Sequence, residues 1–128
     1  MGINTAQLVI DMKAAASAEL NADVSAFRGF SERQLEAIAK QTEFVAIGIA
    51  TKQITEETKD FFLDAIEDMS LNFVKTLRGL ILATVEKVWN ALVGVIWKAL
   101  SDVTGLVLPV PVARIWDRFQ LSLSRVQT

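Results

Sequence analysis

The sequence predicts an all-α fold in which helices pack as a hairpin or small bundle and an extended arm follows. Apolar residues recur every three to four positions over most of the chain, and helix start signals precede the periodic stretches. The only two prolines, Pro109 and Pro111, lie near the C-terminus. We therefore divide the chain into a helical domain, residues 1–103, and an arm, residues 104–128.

The first helix is predicted over residues 5–26 and the second over residues 32–50. The first segment is rich in Ala, Leu, Lys and Glu, which all favour helix. Gly29 separates the two helices because glycine permits the left-handed geometry that closes a helix. Ser31 is expected to cap the second helix, with the Gln34 side chain reaching back to the Ser31 amide as a capping box.

One very long helix is predicted over residues 56–102. Thr55 is its expected N-cap, and Glu56 and Glu57 follow in the first turn, where negative charge suits the helix dipole. Apolar residues then repeat in steps of four, three and four, a period that stays on one face of a nearly straight helix. A break near Gly79 is the alternative, and it would leave two helices of ordinary length.

The arm is expected to begin with an extended stretch. Pro109 and Pro111 fix their own φ and disfavour helix in the preceding residue, so residues 106–112 are predicted to be extended. Beyond them two interpretations stay open, because residues 112–126 fit a short helix whereas residues 119–124 alternate like a strand. We favour the helix, and an arm crossing onto a neighbouring subunit would account for the prolines and the apolar residues together.

Composition indicates that some apolar surface is shared with a partner. The chain has 128 residues, enough for one domain, yet 52% are hydrophobic and the mean hydropathy is +0.35. A compact fold of this size buries only about two-thirds of its unfolded surface. The apolar side chains that this fold cannot bury are expected to contact another subunit, a neighbouring protein or lipid. The net charge of −2 provides no field that would collect nucleic acid, so nucleic acid is not an expected partner.

The sequence offers no support for catalysis, a cofactor or a metal. It contains no cysteine and no histidine, which removes the usual zinc and haem ligands, thiol nucleophiles and the commonest general base. Asp64, Glu67 and Asp68 share one helix face, but a solvated acidic face explains them better than a metal site does. The glycines are isolated in helical sequence rather than gathered in a phosphate loop. We expect no enzymatic activity.

The middle of the chain resembles small helical proteins encoded among the structural genes of bacteriophages and prophages. The resemblance rests on residues 44–64, which contain the helix start Ile54-Thr55-Glu56-Glu57, and on residues 77–80, Leu-Arg-Gly-Leu. Those proteins similarly place a short turn before a long helix that is rich in alanine and leucine and carries a glycine. The resemblance covers roughly residues 35–100, and the proline-containing arm departs from it. It implies a virion or assembly role and carries over no functional residue.

These observations predict a non-enzymatic structural protein that self-associates through its long helix and contacts other virion proteins. The expected interaction surface is Leu80, Val88, Trp89, Leu92, Val95, Ile96, Trp97, Leu100 and Trp116. A polar stripe of Glu86, Lys87 and Asn90 interrupts the apolar stretch from Gly79 to Trp97. The alternative is a membrane-embedded oligomeric pore in which this stripe faces inward. A bundle whose tryptophans form the core is a third interpretation.

The N-terminus indicates where the protein is made. No positive residue precedes Lys13, and the apolar run of residues 8–10 is far too short for the core of a signal peptide. We therefore expect synthesis in the cytoplasm without a signal peptide. The virion is the expected destination, and a membrane is the alternative.

The arm has a net charge of +2. It carries Arg114, Arg118 and Arg125 against a single acidic residue, Asp117. On a helix the three arginines would lie near one another and would suit phosphates, lipid head groups or acidic partners. Surface solvation, with Asp117 pairing locally, is the simpler interpretation.

Overall fold

The computed structural model describes residues 2–105, and within that range the fold is all-α. The predicted arm, including Trp116, lies outside the described residues. The described part consists of four α-helices and one short 3-10 turn, without a strand. These elements are α1 (Thr5–Leu20), the 3-10 turn (Val24–Ala26), α2 (Glu32–Ala50), α3 (Glu56–Thr76) and α4 (Leu82–Thr104). The predicted fold class, an all-α small bundle, is confirmed.

Each helix packs against the next along the chain, and α4 closes the bundle against α1. α1 and α2 run antiparallel, since Lys13 in the second half of α1 pairs with Glu32 at the start of α2 at 2.7 Å. α2 and α3 also run antiparallel, since the Thr76 hydroxyl at the end of α3 donates to Gln34 Oε1 near the start of α2 at 3.4 Å. Short connections between antiparallel neighbours are typical of helical bundles.

Side chains from all four helices meet in one hydrophobic core. Burial of each large apolar side chain contributes about 1.5–3 kcal/mol relative to exposure. Two of the three buried polar side chains in the described residues are satisfied locally, since the hydroxyls of Thr42 and Ser70 donate to the carbonyls one turn earlier at 2.7 and 2.9 Å. The third is Glu67, which is fully buried and therefore not part of the solvated acidic face predicted for it. The largest fully buried apolar side chains are Met12 from α1, Leu35 and Ile38 from α2, Ile66 and Phe73 from α3, and Trp89, Leu92, Ile96 and Leu100 from α4.

The predicted start of α3 is confirmed in detail. Thr55 is the N-cap, its side chain accepts from the Thr58 amide, and the Thr58 side chain accepts from the Thr55 amide. Glu56 and Glu57 occupy the first turn. Two orphan backbone donors are thus satisfied, and the negative charges complement the helix dipole.

One of the two hydrogen bonds predicted for the cap of α2 is present, and the other is not. The Ser31 hydroxyl accepts from the Gln34 amide at 3.2 Å, as expected of an N-cap. The Gln34 side chain, however, accepts from the Thr76 hydroxyl rather than from the Ser31 amide. A contact with α3 therefore replaces the predicted return bond of the capping box.

The helix predicted over residues 5–26 ends at Leu20. Asn21 adopts left-handed geometry with φ of 53°, a conformation that asparagine tolerates better than most residues. The Asp23 side chain then accepts from the Ser25 amide and starts the 3-10 turn. The turn is held to α1 because the Val24 amide donates to the Ser17 hydroxyl at 3.0 Å.

The continuous helix predicted over residues 56–102 is corrected to two helices, in agreement with the alternative break near Gly79. α3 ends where Leu77 takes an extended conformation, with ψ of 124°, and Gly79 follows with φ of 87°. The turn is anchored to the connection between α1 and α2, since the Arg78 amide donates to the Arg28 carbonyl at 2.9 Å. The break therefore lets α4 fold back along α3 and α1.

A candidate interaction surface on α2 and α3

Most residues predicted to form the interaction surface lie in the core of the single chain. Six of them are at most 3% exposed: Val88, Trp89, Leu92, Ile96, Trp97 and Leu100. Leu80 and Val95 are half-buried, and Trp116 lies outside the described residues. Most of the predicted surface is therefore not exposed on the single chain, because the apolar face of α4 packs against the other helices.

The predicted polar stripe lies on the side of α4 that faces away from the hydrophobic core. Lys87 is exposed, whereas Glu86 and Asn90 are half-buried. The neighbouring Trp89 is fully buried, and its indole N–H donates to the Glu67 backbone carbonyl of α3 at 3.2 Å. This hydrogen bond fixes the approach of α4 to α3, and it satisfies the polar end of a large buried side chain.

The structure exposes a different set of apolar side chains, which the sequence did not single out. Phe44 and Ile47 on α2 are 58% and 50% exposed, and Phe61 on α3 is 73% exposed. The Phe62 ring links the two helices, with its centroid 6.3 Å from that of Phe44 and 5.4 Å from that of Phe61. We call these four residues the aromatic cluster.

One signal of the aromatic cluster was present in the sequence. Phe61 and Phe62 are adjacent, and two adjacent helical residues cannot both face the same core. Phe62 lies one turn before Ile66 and on the same apolar side of the helix, so Phe61 had to point elsewhere. The positions of Phe44 and Ile47 could not be found this way, because the apolar residues near the end of α2 surround most of the helix.

The exposed side of α3 that carries Phe61 is also acidic. Glu57, Phe61, Asp64 and Asp68 follow one another at steps of four, three and four, which places them along one stripe of the helix. We call these residues the α3 stripe. Glu57 and Asp68 are exposed, and Asp64 is half-buried. Any partner of this stripe is expected to combine positive charge with apolar contact.

Two further apolar surfaces lie away from the aromatic cluster. Ile81 and Leu82, at the start of α4, are 70% and 47% exposed. An open groove of about 440 Å³ runs between α1 and α2, lined in part by Ile10, which is 57% exposed, and by Lys13 and Lys40. These two surfaces contain fewer aromatic side chains than the aromatic cluster on α2 and α3.

The described residues contain neither a metal-binding group of acidic side chains nor a membrane-spanning helix. Between residues 2 and 105, no set of three or more acidic side chains is arranged to hold a metal ion. Within the same range, no helix combines the length and the apolar character that crossing a membrane requires.

Comparison with known proteins identifies no relative of the chain. No protein-family model matches the chain. No curated protein and no solved structure matches it either.

Proposed function

We propose that the chain is a non-enzymatic structural protein that self-associates and serves as a component of a phage particle or a similar assembly. The observation that carries the proposal is the aromatic cluster, where three large apolar side chains are at least half exposed on adjoining helices. Isolated apolar residues are normal on protein surfaces, but contiguous aromatic ones are typical of interaction sites.

The composition supports the same proposal. The chain is 52% hydrophobic, and after one core has formed the described residues still expose six large apolar side chains. Aromatic side chains supply much of the binding energy at protein interfaces because they bury large areas with few rotatable bonds. The resemblance to phage-encoded helical proteins favours other copies of the chain and neighbouring virion proteins as partners.

The proposal is tested by light scattering on the detergent-free full-length protein over a range of concentrations. We expect a discrete oligomer that Phe44→Ser combined with Ile47→Ser shifts toward monomer. Both side chains are at least half exposed, so circular dichroism should show unchanged helicity. Ile81→Ala is the control, since Ile81 is 70% exposed, lies at the other end of α3, and gains no capping acceptor as alanine.

Three outcomes would contradict the proposal. A monomer at every concentration would show that the cluster does not mediate self-association. Flotation with liposomes that resists high salt and carbonate would favour the membrane alternative. An equal effect of the control substitution would indicate unspecific hydrophobic association instead of a defined interface.

A further inference from the structure

We propose that one end of the bundle docks on the surface of an anionic lipid bilayer. The contact consists of Arg28, Arg78, Ile81 and Leu82, which we call the turn surface. Its arginines bind lipid phosphates, and its two aliphatic side chains enter the bilayer surface beside them. This inference goes beyond self-association and does not depend on it, because it uses no residue of the aromatic cluster.

The turn surface forms where two helix connections of the bundle meet. The connection from α1 to α2 and the connection from α3 to α4 contain the same dipeptide, Arg28-Gly29 and Arg78-Gly79, and both glycines have φ of 87°. The Arg78 amide donates to the Arg28 carbonyl at 2.9 Å. Both arginines are exposed. The fold therefore brings two exposed arginines from distant parts of the sequence to one end of the molecule.

The two connections carry positive charge and no carboxylate of their own. Residues 24–31 contain one arginine, residues 69–85 contain a lysine and an arginine, and neither range contains an acidic residue. Glu32, which follows the first connection, pairs with Lys13 at 2.7 Å. Asp23, which precedes it, accepts hydrogen bonds within its own turn. Arginine is well suited to phosphate because its planar guanidinium donates two parallel hydrogen bonds.

Ile81 lies at a position where the fold favours a polar residue. In α2 the second residue after the turn glycine is Ser31, whose hydroxyl accepts from the Gln34 amide at 3.2 Å. The corresponding residue of α4 is Ile81, which makes no side-chain cap hydrogen bond and is 70% exposed. An aliphatic N-cap lowers helix stability. A local rule that is broken without a structural gain is typical of residues retained for function.

The size of the turn surface favours a bilayer over a protein partner. Its exposed apolar side chains are Ile81 and Leu82, and Leu82 is 47% exposed. A stable protein interface commonly involves about 20–30 residues on each side. A bilayer offers many phosphates and no fixed shape to match, so a few basic and aliphatic side chains are enough for reversible binding.

Flotation of the full-length protein with two kinds of vesicle tests the inference. One kind consists of phosphatidylcholine alone, and the other also contains about 30% phosphatidylglycerol, an anionic lipid. We expect the protein to float with the anionic vesicles only, and we expect high salt to release it. This salt sensitivity distinguishes docking from an embedded pore, which would resist high salt and carbonate.

Arginine substitutions test the charged part of the contact. Arg28→Gln combined with Arg78→Gln should lower the affinity for anionic vesicles about 25-fold, since each basic residue near such a surface contributes about fivefold. Both arginines are exposed, so circular dichroism should show unchanged helicity. Lys98→Gln is the matched control, because its side chain is 79% exposed near the other end of α4, and it should leave the affinity unchanged.

Ile81→Asp separates docking from folding. The carboxylate can cap α4, so thermal stability should rise while the affinity for anionic vesicles falls about tenfold or more. A variant that merely unfolds cannot show this combination. Ile81→Leu keeps a large apolar side chain and should retain binding. Ile10→Asp controls for the added charge, since Ile10 is 57% exposed on α1, away from the turn surface.

Three results would overturn the inference. Flotation with neither kind of vesicle would show that the turn surface does not bind lipid. Equal flotation with both kinds would remove the role of the arginines. Undiminished flotation of the arginine and Ile81→Asp variants would place the lipid contact elsewhere in the chain. Light scattering without vesicles measures self-association independently, so the two proposals can fail separately.

Discussion

Gly29 and Gly79 have the same backbone conformation but different surroundings. Both adopt φ of 87°, which side chains other than glycine rarely take. A Cβ at Gly29 would collide with the Thr76 carbonyl oxygen, whereas a Cβ at Gly79 would meet nothing within 4 Å. Gly29 is therefore required by both conformation and packing, and Gly79 by conformation alone.

The two glycines predict unequal losses of stability. Gly79→Ala should cost about 1–2 kcal/mol, the penalty for left-handed backbone. Gly29→Ala should cost more, because the backbone of α3 must also move away. Urea denaturation of the two variants measures the difference, and equal losses would contradict the packing argument.

Asp23 predicts a small dependence of stability on acid pH. Hydrogen bonds from the Ser25 hydroxyl and amide hold the pKa of this carboxyl below its ordinary value. A lowered folded pKa means that the charged form stabilises the fold above the unfolded pKa, and that this contribution is lost as the pH falls through the folded pKa.

We therefore expect Asp23→Asn to be less stable than the natural protein at neutral pH. The difference should begin to shrink as the pH falls through the ordinary aspartate pKa of about 4, and it should vanish below the lowered folded pKa, where Asp23 is protonated in both states. Thermal unfolding of both proteins across this range provides the measurement. A difference that stays constant with pH would show that the charge of Asp23 is not involved.

At the scale of the element, the start of α4 lacks a side-chain cap. Ile81 is its N-cap residue, has extended backbone geometry, and is 70% exposed. Ile81→Asp should stabilise the protein by about 1 kcal/mol, because the carboxylate can accept from a free amide and suits the helix dipole. Thermal unfolding measures the gain, and Ile81→Ala, which offers no acceptor, is the control.

Gly94 provides a second test at the same scale. It lies inside α4, and a Cβ added there would meet nothing within 4 Å. Gly94→Ala should therefore stabilise the chain by about 1 kcal/mol, the difference in helix propensity between the two residues. A loss of stability instead would indicate that a partner approaches the backbone at this position in the intact protein.

At the scale of the whole molecule, Val88 and Val95 distinguish folding from assembly. Val88 is fully buried, whereas Val95 is half-buried at the edge of the core. Val88→Asp should unfold the protein, since an unpaired buried charge costs about 3–5 kcal/mol. Val95→Asp should retain helical structure with reduced stability. Circular dichroism and urea denaturation decide between these outcomes, and similar behaviour of the two variants would contradict the described core.

Local signals predicted much of the fold because they act over a few residues. Thr55 and its two following glutamates marked the start of α3, and Ser31 marked the start of α2, since capping depends on the adjacent backbone alone. Gly29 was expected to be left-handed for the same reason. The end of α1 was not predicted because Asn21 is a weaker signal than glycine. Asparagine tolerates the left-handed conformation but adopts it less often, so its presence alone does not predict a helix end.

By itself the sequence determined the all-α class, the start sites of α2 and α3, and the lack of histidine and cysteine chemistry. Tertiary structure alone decided that the chain folds back at Gly79, that Trp89 and Trp97 are core, and that Phe44, Ile47 and Phe61 are exposed. The physical reason is that caps and backbone conformations are local. Burial, in contrast, depends on which helix faces pack against each other. Several faces of α2 and α4 were apolar enough to pack into the core, so their sequences alone could not identify the buried one.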